Sequence, residues 1–299
     1  MQQNFTAYYT TTLLPQLEAL EAERVKIKNN LLYLLVSSLV VGVVAIAIYK
    51  NIVVVPIVAL LCAAVYLFGM AKKSIKYNQK YKAIVIKKAA QYYFNTIDYE
   101  PYSGLSQYEF EATKLYNKTI DRYRTEDLFI GKKDKTNFSF SEVKAEYKTE
   151  SKNGTHWHNI FTGIIFVADF NKDFNNLTLV KKNAFSLWKS DTQIKLEDPL
   201  FEKQFDVYAT DETEARYLLT PSFMEKLLSI KQQFDTDISI SFYQKNMYLA
   251  LPYSYNNFET NIWSTLNNPV KLEQEIGLIA NIIEVIDILD LNTRIWSKD

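Results

Sequence analysis

The sequence predicts an α+β membrane protein. A two-helix transmembrane hairpin with a helical stalk precedes a cytoplasmic domain with a mainly antiparallel β-sheet and packed helices. Two uncharged apolar runs and the lysines that flank them predict the hairpin. Short connections between β-rich segments in the second half favour antiparallel pairing. The predicted parts are an amphipathic N-terminal helix, the hairpin, a lysine-rich juxtamembrane helix and the cytoplasmic domain, at residues 1–30, 31–70, 71–98 and 99–299.

The two apolar runs, 31–49 and 52–70, contain no charged residue, and only Lys50 and Asn51 separate them. Each has 19 residues, which as a helix span about 28 Å, close to the hydrocarbon thickness of a bilayer. A soluble core could bury one such run, but two joined by two residues predict a transmembrane hairpin. A cleaved signal peptide is the alternative for the first run, because Ala45 and Ala47 form a small-x-small site. The long, glutamate-containing polar segment before it argues against cleavage.

Charge is distributed unevenly although the formal net charge is zero. Arg24, Lys26 and Lys28 precede the first run, seven lysines and no acid lie within 72–95, and residues 96–299 carry an excess of eight acids. Lysine and arginine near a span stay on the cytoplasmic side. The expected location is therefore the cell (inner) membrane, multi-pass, with both the N- and C-termini cytoplasmic.

The lysines next to the second run allow a further role besides orientation. They could contact anionic lipid headgroups, and the four closest to the membrane are Lys72, Lys73, Lys76 and Lys80. Nucleic-acid binding is disfavoured, because the acidic C-terminal part would repel phosphate. Cys62, the only cysteine, lies in the second run, so no disulfide can form within one chain.

Both arms of the hairpin are predicted to continue as amphipathic helices. Before the first run, apolar positions follow a 4-3-4-3-4 spacing that predicts a helix with one buried seam, at Leu13, Leu17, Leu20, Arg24, Ile27 and Leu31. Arg24 is expected to loosen this seam. After the second run, 72–94 reads as helix with Tyr81, Val85, Ala89 and Tyr92 on one stripe. Either the arms pair as an antiparallel stalk, which Pro101 and Gly104 end, or each packs on the soluble domain.

The soluble part alternates β-rich and helical segments. A short helix is predicted over 106–115, and strands at 128–130, 137–149, 156–169, 177–180, 193–196 and 205–209, with a turn over 131–135. Asp211 with Glu214, and then Thr220 with Pro221, are helix-start signals. The second of these helices should end near Asp235. A hairpin of 238–243 and 247–251 and a long amphipathic helix over 271–291 complete the prediction.

The sequence excludes several kinds of chemistry. Its seven glycines are too far apart for a P-loop or a dinucleotide fingerprint, and it has no G-x-S-x-G elbow. His156 and His158, the only histidines, would share one face of a strand and are weak candidates for a metal site. A third ligand would have to be a carboxylate, and two half-exposed strand residues are the simpler interpretation. No cofactor is predicted.

Carboxylates are abundant near 197–214, at Glu197, Asp198, Glu202, Asp211, Glu212 and Glu214. A pair of them could act as general acid and base, although a solvated acidic surface is the more usual meaning of such a run. Arg216 lies among them and is expected to pair with one acid, and at a buried position its truncation would cost about 3–5 kcal/mol. Glu214, Arg216 and Tyr217 are the candidate structural or binding residues of this region.

Four sequence blocks carry a resemblance to a known family. They are LEDPLFEKQFDVY at 196–208, TEARYLLTP at 213–221, FSE at 140–142 and IFTGIIFVADF at 160–170. Over about residues 90–260 the chain resembles the bacterial family known as domain of unknown function 3137. The resemblance implies paired N-terminal spans before a cytoplasmic domain and suggests a LemA-type membrane protein as partner. It implies no catalytic residues.

These observations favour a membrane protein that presents a cytoplasmic binding or scaffolding domain and is not an enzyme. Besides the lipid bilayer and another membrane protein, a second copy of the chain is a conceivable partner, and nucleic acid is not. Two alternatives stay open. One is a membrane-anchored enzyme of unrecognised type that uses the carboxylates near 197–214, or His156 and His158. The other is a sensor of anionic lipid.

Overall fold

A computed structural model describes residues 7–49, 54–152, 154–182, 193–266 and 269–292. The chain divides into two units, each with its own buried residues. The first comprises Met1–Ala89 with Phe258–Gln274, and the second comprises Ala90–Asn257 with Glu275–Asp299. Mixed helices and an antiparallel sheet, preceded by a long apolar N-terminal helix, confirm the predicted α+β class in this coarser form.

Helices make up the N-terminal part of the chain. A π-helical turn, Tyr9–Leu13, leads into α1, Leu14–Tyr49; α2, Val54–Tyr81, is followed by a second π-helical turn, Lys82–Ile86, and by α3, Lys87–Tyr93. The helical part therefore ends before Pro101, because a short strand begins at Asp98. The predicted hairpin tip, Lys50 and Asn51, lies outside the described residues.

The predicted seam of the N-terminal arm is buried throughout. Arg24 does not loosen it, which corrects the expectation from sequence. Its guanidinium donates to both carboxylate oxygens of Glu21, at 2.9 and 2.7 Å, and to the carbonyl oxygen of Ile262 at 2.7 Å. A buried arginine with these partners is satisfied, so it is compatible with close packing. Lys80 of α2 donates to Glu23 of α1 at 2.7 Å, so the two arms contact each other.

Beyond the seam, the apolar side chains of α1 point outward. Tyr33 is 72% exposed, Leu39 69% and Ile48 68%. Among the described residues one helix, Tyr9–Val44, is long and apolar enough to cross a membrane. It is a candidate membrane anchor near the N-terminus, and the two-span hairpin stays a prediction.

One antiparallel sheet of seven strands forms the centre of the second unit in the described part of the chain. Its order is β1-β2-β3-β4-β6-β5, and β7 also pairs with β4. The strands are β1 Asp98–Glu100, β2 Arg122–Lys133, β3 Thr136–Ser151, β4 Gly154–Lys181, β5 Gln193–Ile194, β6 Asp206–Ala209 and β7 Ser239–Pro252.

Three predicted boundaries within this sheet are wrong, each because a polar or glycine-containing stretch continues a strand. The segments 156–169 and 177–180 belong to the single strand β4, and the predicted hairpin of 238–251 is the single strand β7. Gln244 has φ 56° and still pairs with Phe174, so the polar stretch is an irregularity in the ladder. Gly131 lies in β2 opposite Phe138, whose ring occupies the space that a Cβ would need.

Five further helices lie in the described part of the chain: α4 Gln107–Ala112, α5 Pro199–Gln204, α6 Glu212–Leu218, α7 Pro221–Phe234 and α8 Pro269–Ile288. The predicted starts at Asp211 and Thr220 are confirmed, because both side chains cap their helices. A core on one side of the sheet includes Phe110, Phe161 and Tyr208. Phe223 of α7 packs edge-on against the ring of Phe170 and at a tilt against that of Phe242.

Candidate functional site

His156 and His158 lie near the start of β4, opposite Thr149 and Tyr147 of β3. Both are exposed. The His158 ring stacks on Tyr147 with centroids 4.9 Å apart, and its Nε2 lies 2.8 Å from Thr149 Oγ1. Among the described residues, no group of three metal-ligating side chains includes either histidine. Their contacts are those of residues on a strand surface.

The predicted carboxylate group has local structural contacts. Asp198 Oδ1 accepts the backbone N–H of Leu200 at 2.8 Å and caps α5, and Asp211 Oδ1 accepts that of Glu214 at 2.7 Å and caps α6. Glu202 Oε1 accepts the backbone N–H of Leu196 at 2.7 Å. These capping and loop bonds explain why the three acids are at these positions, and no catalytic role is needed to explain them.

Glu214, Arg216 and Tyr217 belong to α6. Arg216 donates to Glu212 Oε1 at 2.8 Å and to the carbonyl oxygen of Lys195 at 2.9 Å. Its side chain is 43% exposed, so an ion pair of this kind is worth at most about 1 kcal/mol and the larger cost expected for a buried arginine does not apply. Glu214 Oε2 accepts from Asn176 Nδ2 at 3.1 Å, whereas Tyr217 is 57% exposed. Arg216 and Tyr217 therefore offer accessible surface to a partner.

The four lysines that the sequence predicts to lie next to the membrane have different surroundings in the first unit. Lys80 forms the ion pair with Glu23, and Lys72 Nζ lies 4.7 Å from the centre of the Phe68 ring. Lys73 and Lys76 line one side of a groove of about 560 Å³, and Lys26 of α1 lies on the other side. The structure thus brings two of the four lysines together with a third basic residue.

A buried carboxylate cluster, defined by Glu126, Asp127 and Glu142, was not identified from the sequence. One oxygen of each lies within 4.8 Å of the others, and Asp127 and Glu142 are fully buried. Glu126 of β2 lies opposite Glu142 of β3, and a bulge follows Glu126 in β2. Asp127 occupies the left-handed region with φ 57°, which turns its side chain out of the regular strand alternation.

Each buried acid of this cluster has hydrogen-bond donors. The Tyr99 hydroxyl donates to Asp127 Oδ1. Both oxygens of Glu142 accept backbone N–H groups at 2.7 Å, one from Asn256 and one from Asn257. Glu142 therefore fixes the turn that follows β7 to the centre of the sheet.

Burial dominates the electrostatics of the cluster. It raises the pKa of Glu142 to about 7, with Asp127 as the second cause, against the opposing effect of the two N–H donors. Burial and the same acids also raise the pKa of Tyr99 and of Tyr255. Carboxylate oxygens are ligands that hard cations prefer, but those of Glu142 already accept amide hydrogens. The arrangement is best suited to taking up a proton near neutral pH.

One sequence signal could have revealed Glu142. It follows Phe138 and Phe140 at alternate positions of β3, and both rings are buried in the core. An acid at the third position of a core-facing series is an anomaly that predicts a buried, hydrogen-bonded carboxylate. Asp127 could not be found in this way, because a bulge places it.

A second feature missed from the sequence is Lys181 at the end of β4. It lines a cavity of about 260 Å³ together with Tyr116, Asn159 and Ser239. Its Nζ lies 4.3 Å from the centre of the Tyr116 ring, and burial lowers its pKa to about 8. A partly deprotonated amine in a small cavity is a candidate nucleophile or ligand-binding group. The sequence Leu-Val-Lys-Lys at 179–182 is typical of an ordinary strand end, so it gives no sign that Lys181 lines a cavity.

Comparisons with known proteins confirm the resemblance found in the sequence. Residues 159–291 match the family described as "Protein of unknown function (DUF3137)". This range contains Lys181 and the α6 residues, but it begins after Glu142. No curated protein shows detectable sequence similarity to the chain.

Among solved structures, the crystal structure of the mycobacterial trehalose monomycolate transport factor A, TtfA, is similar over 69% of this chain and 94% of that chain. The sequence identity is 10% and the TM-score 0.35. A likeness at this level supports no conclusion about the function of the present chain.

Stability should depend on pH through Glu142. Its folded pKa of about 7 exceeds the ordinary value of 4.5, so between these values the folded state holds a proton that the unfolded state has lost. The free energy of unfolding contributed by this group therefore falls as pH rises through that window, by up to about 3 kcal/mol, and is constant above it. Denaturant unfolding in detergent at pH 5 and pH 8 should show this loss in the wild type and not in Glu142→Gln. Glu150→Gln, an exposed change on the same strand, is the control, and parallel profiles for wild type and Glu142→Gln would contradict the prediction.

Lys181 should react unusually fast with a small amine reagent such as cyanate. At pH 8 about half of its side chains are neutral if the pKa is about 8, whereas an ordinary lysine is well under ~1% neutral. Competitive labelling followed by peptide mass spectrometry should give Lys181 a rate that is half-maximal near pH 8. The exposed neighbour Lys182 is the internal reference. A faster reaction of Lys182 at pH 8 would show that the cavity does not favour the neutral amine.

Proposed function

We propose that this protein is anchored in the membrane by a two-helix hairpin and that its α+β domain binds another membrane protein on the cytoplasmic side. The observation that carries the anchor is the outward orientation of apolar side chains on α1. Water-soluble proteins rarely expose continuous apolar surface of this extent. The helix Tyr9–Val44 also has the length and composition of a span.

Described residues of α2 support the second span. Leu60 is 71% exposed, Leu67 65% and Phe68 69%. These residues belong to the second uncharged run, and the lysines that follow favour the cytoplasm. A hairpin would place 71–299 on the same side as the N-terminus. The proposed location is therefore the cell membrane, multi-pass, with both termini cytoplasmic.

A binding role is favoured over an enzymatic one by the contacts of the acidic region. Asp198, Glu202 and Asp211 form capping and loop bonds, and among the described residues of 197–214 no three acids lie within 4.8 Å of one another. In contrast, Arg216 and Tyr217 present the residue types that are enriched at protein interfaces. A LemA-type membrane protein is the proposed partner, and a second copy of the chain is the alternative occupant.

Topology can be tested with single cysteines, because Cys62 is the only native one. In a Cys62→Ser background, Asn51→Cys should react with a membrane-impermeant maleimide on intact cells, and Ser264→Cys should react only after permeabilisation. Gel shift of the labelled chain measures both. Labelling of Ser264→Cys on intact cells, or recovery of the full chain in the soluble fraction without detergent, would overturn the proposed anchor and orientation.

Partner binding can be tested by photo-crosslinking in native membranes. A photoreactive phenylalanine analogue at Tyr217 should give a discrete adduct with a second membrane protein, which mass spectrometry should identify as of LemA type. The same analogue at Tyr33, exposed within the first apolar run, is the control and should give lipid adducts. An adduct with the chain itself would favour the homo-oligomer. Absence of any protein adduct at Tyr217 and at the exposed positions Tyr108 and Leu200 would contradict the binding role.

A further inference from the structure

A groove in the first unit joins three basic side chains across two helices. Lys26, Ile27 and Asn30 of α1 line one side, and Lys73 and Lys76 of α2 line the other. Its volume of about 560 Å³ lies within the range of small-molecule sites. On α1, Lys26 and Ile27 lie four and three residues before Asn30, which places each of them beside Asn30 on the helix surface.

The three lysines in the groove have no neutralising partner among the residues that the structure describes. Lys26, Lys73 and Lys76 are exposed and form no ion pair within the described residues. Glu23 is the acid that also lines the groove. Both of its oxygens accept Lys80 Nζ at 2.7 Å, so its charge is already compensated. The groove therefore has an uncompensated positive charge and a side-chain amide donor at Asn30.

The position of the groove along the helices coincides with the ends of the apolar runs. Asn30 directly precedes the first run, and Lys73 lies three residues after Met70, the last residue of the second. Beyond these positions the side chains that point outward are apolar, and they include Tyr33 and Phe68. Aromatic residues at this depth are typical of the boundary between headgroups and acyl chains.

From this arrangement we propose that the groove binds the phosphate headgroup of an anionic phospholipid, whose acyl chains lie along the exposed apolar side chains of α1 and α2. The proposal rests on the membrane anchor proposed above. Basic pockets between membrane helices on the cytoplasmic side are suited to such headgroups. Lys26 and Lys73 contact the phosphate from opposite sides, Lys76 adds charge, and Asn30 donates a hydrogen bond. A free phosphate ester shares the headgroup chemistry but gains nothing from the apolar surface.

Lipid binding by the full chain in detergent micelles tests the proposal. The probes are dioleoyl phosphatidylglycerol, dioleoyl phosphatidylcholine and inorganic phosphate, and native mass spectrometry counts bound lipid during a titration. The triple variant Lys26→Gln, Lys73→Gln and Lys76→Gln removes the groove charges. The control variant Lys28→Gln, Lys72→Gln and Lys87→Gln removes the same charge from positions of α1, α2 and α3 outside the groove.

The wild type should bind phosphatidylglycerol more tightly than phosphatidylcholine, and less tightly as salt increases. The groove variant should lose at least about tenfold in affinity, since each lysine near a lipid surface contributes roughly fivefold. The control variant should lose less than about threefold.

Equal losses in the two variants would show diffuse attraction and overturn the proposal, as would equal binding of the two lipids. Displacement of phosphatidylglycerol by millimolar phosphate would assign the groove to free phosphate esters and overturn it as well. Unchanged helical content by circular dichroism shows that a loss of binding is not a loss of folding. Failure here with a positive cysteine-labelling result would reject the lipid site and leave the anchor intact.

Discussion

Removal of the outward-facing apolar side chains of α1 from water is the constraint on which the remaining interpretation depends. A helix of this length buries only one narrow seam against its neighbours, and its remaining surface over the first run is apolar. Transfer of those side chains out of water is favourable, and it requires either lipid or another apolar surface around them. Three interpretations depend on α1 lying in a membrane. They are the orientation assigned from the lysines, the role of the accessible α6 surface and the ligand of the basic groove.

The sequence predicts features that depend on local periodicity and misses those that depend on pairing. The seam from Leu13 to Leu31 and the caps at Asp211 and Thr220 follow from spacing and residue type, and they are present. The lengths of β4 and β7 could not be predicted, because each strand passes through an irregularity that its partner stabilises. Arg24 shows the same limit, since its partner Ile262 is 238 residues away in the chain.

The two features found in the second unit illustrate how burial changes ordinary residues. Glu142 and Lys181 are common residue types, and both have a pKa that moves toward neutrality because water is excluded around them. Glu142 uses its oxygens to hold the turn after β7, so its first role is structural. Lys181 lines a cavity, and of the two it is the better candidate for contact with a small ligand.

The hydrogen bonds of the segment 258–266 determine which truncated fragments are expected to fold and stay soluble. Arg24 binds the carbonyl oxygen of Ile262, Glu21 accepts from Leu266 and Asn78 accepts from Thr260, so this late segment is held by residues of the first 89. A fragment that starts at Ala90 would lack more than the candidate anchor helix. The donors and acceptors of 258–266 would lose their partners, and Phe258 and Ile262 would become exposed. Soluble versions of the chain would need to keep the segments of both arms that bind 258–266, joined by a short polar linker in place of the apolar runs.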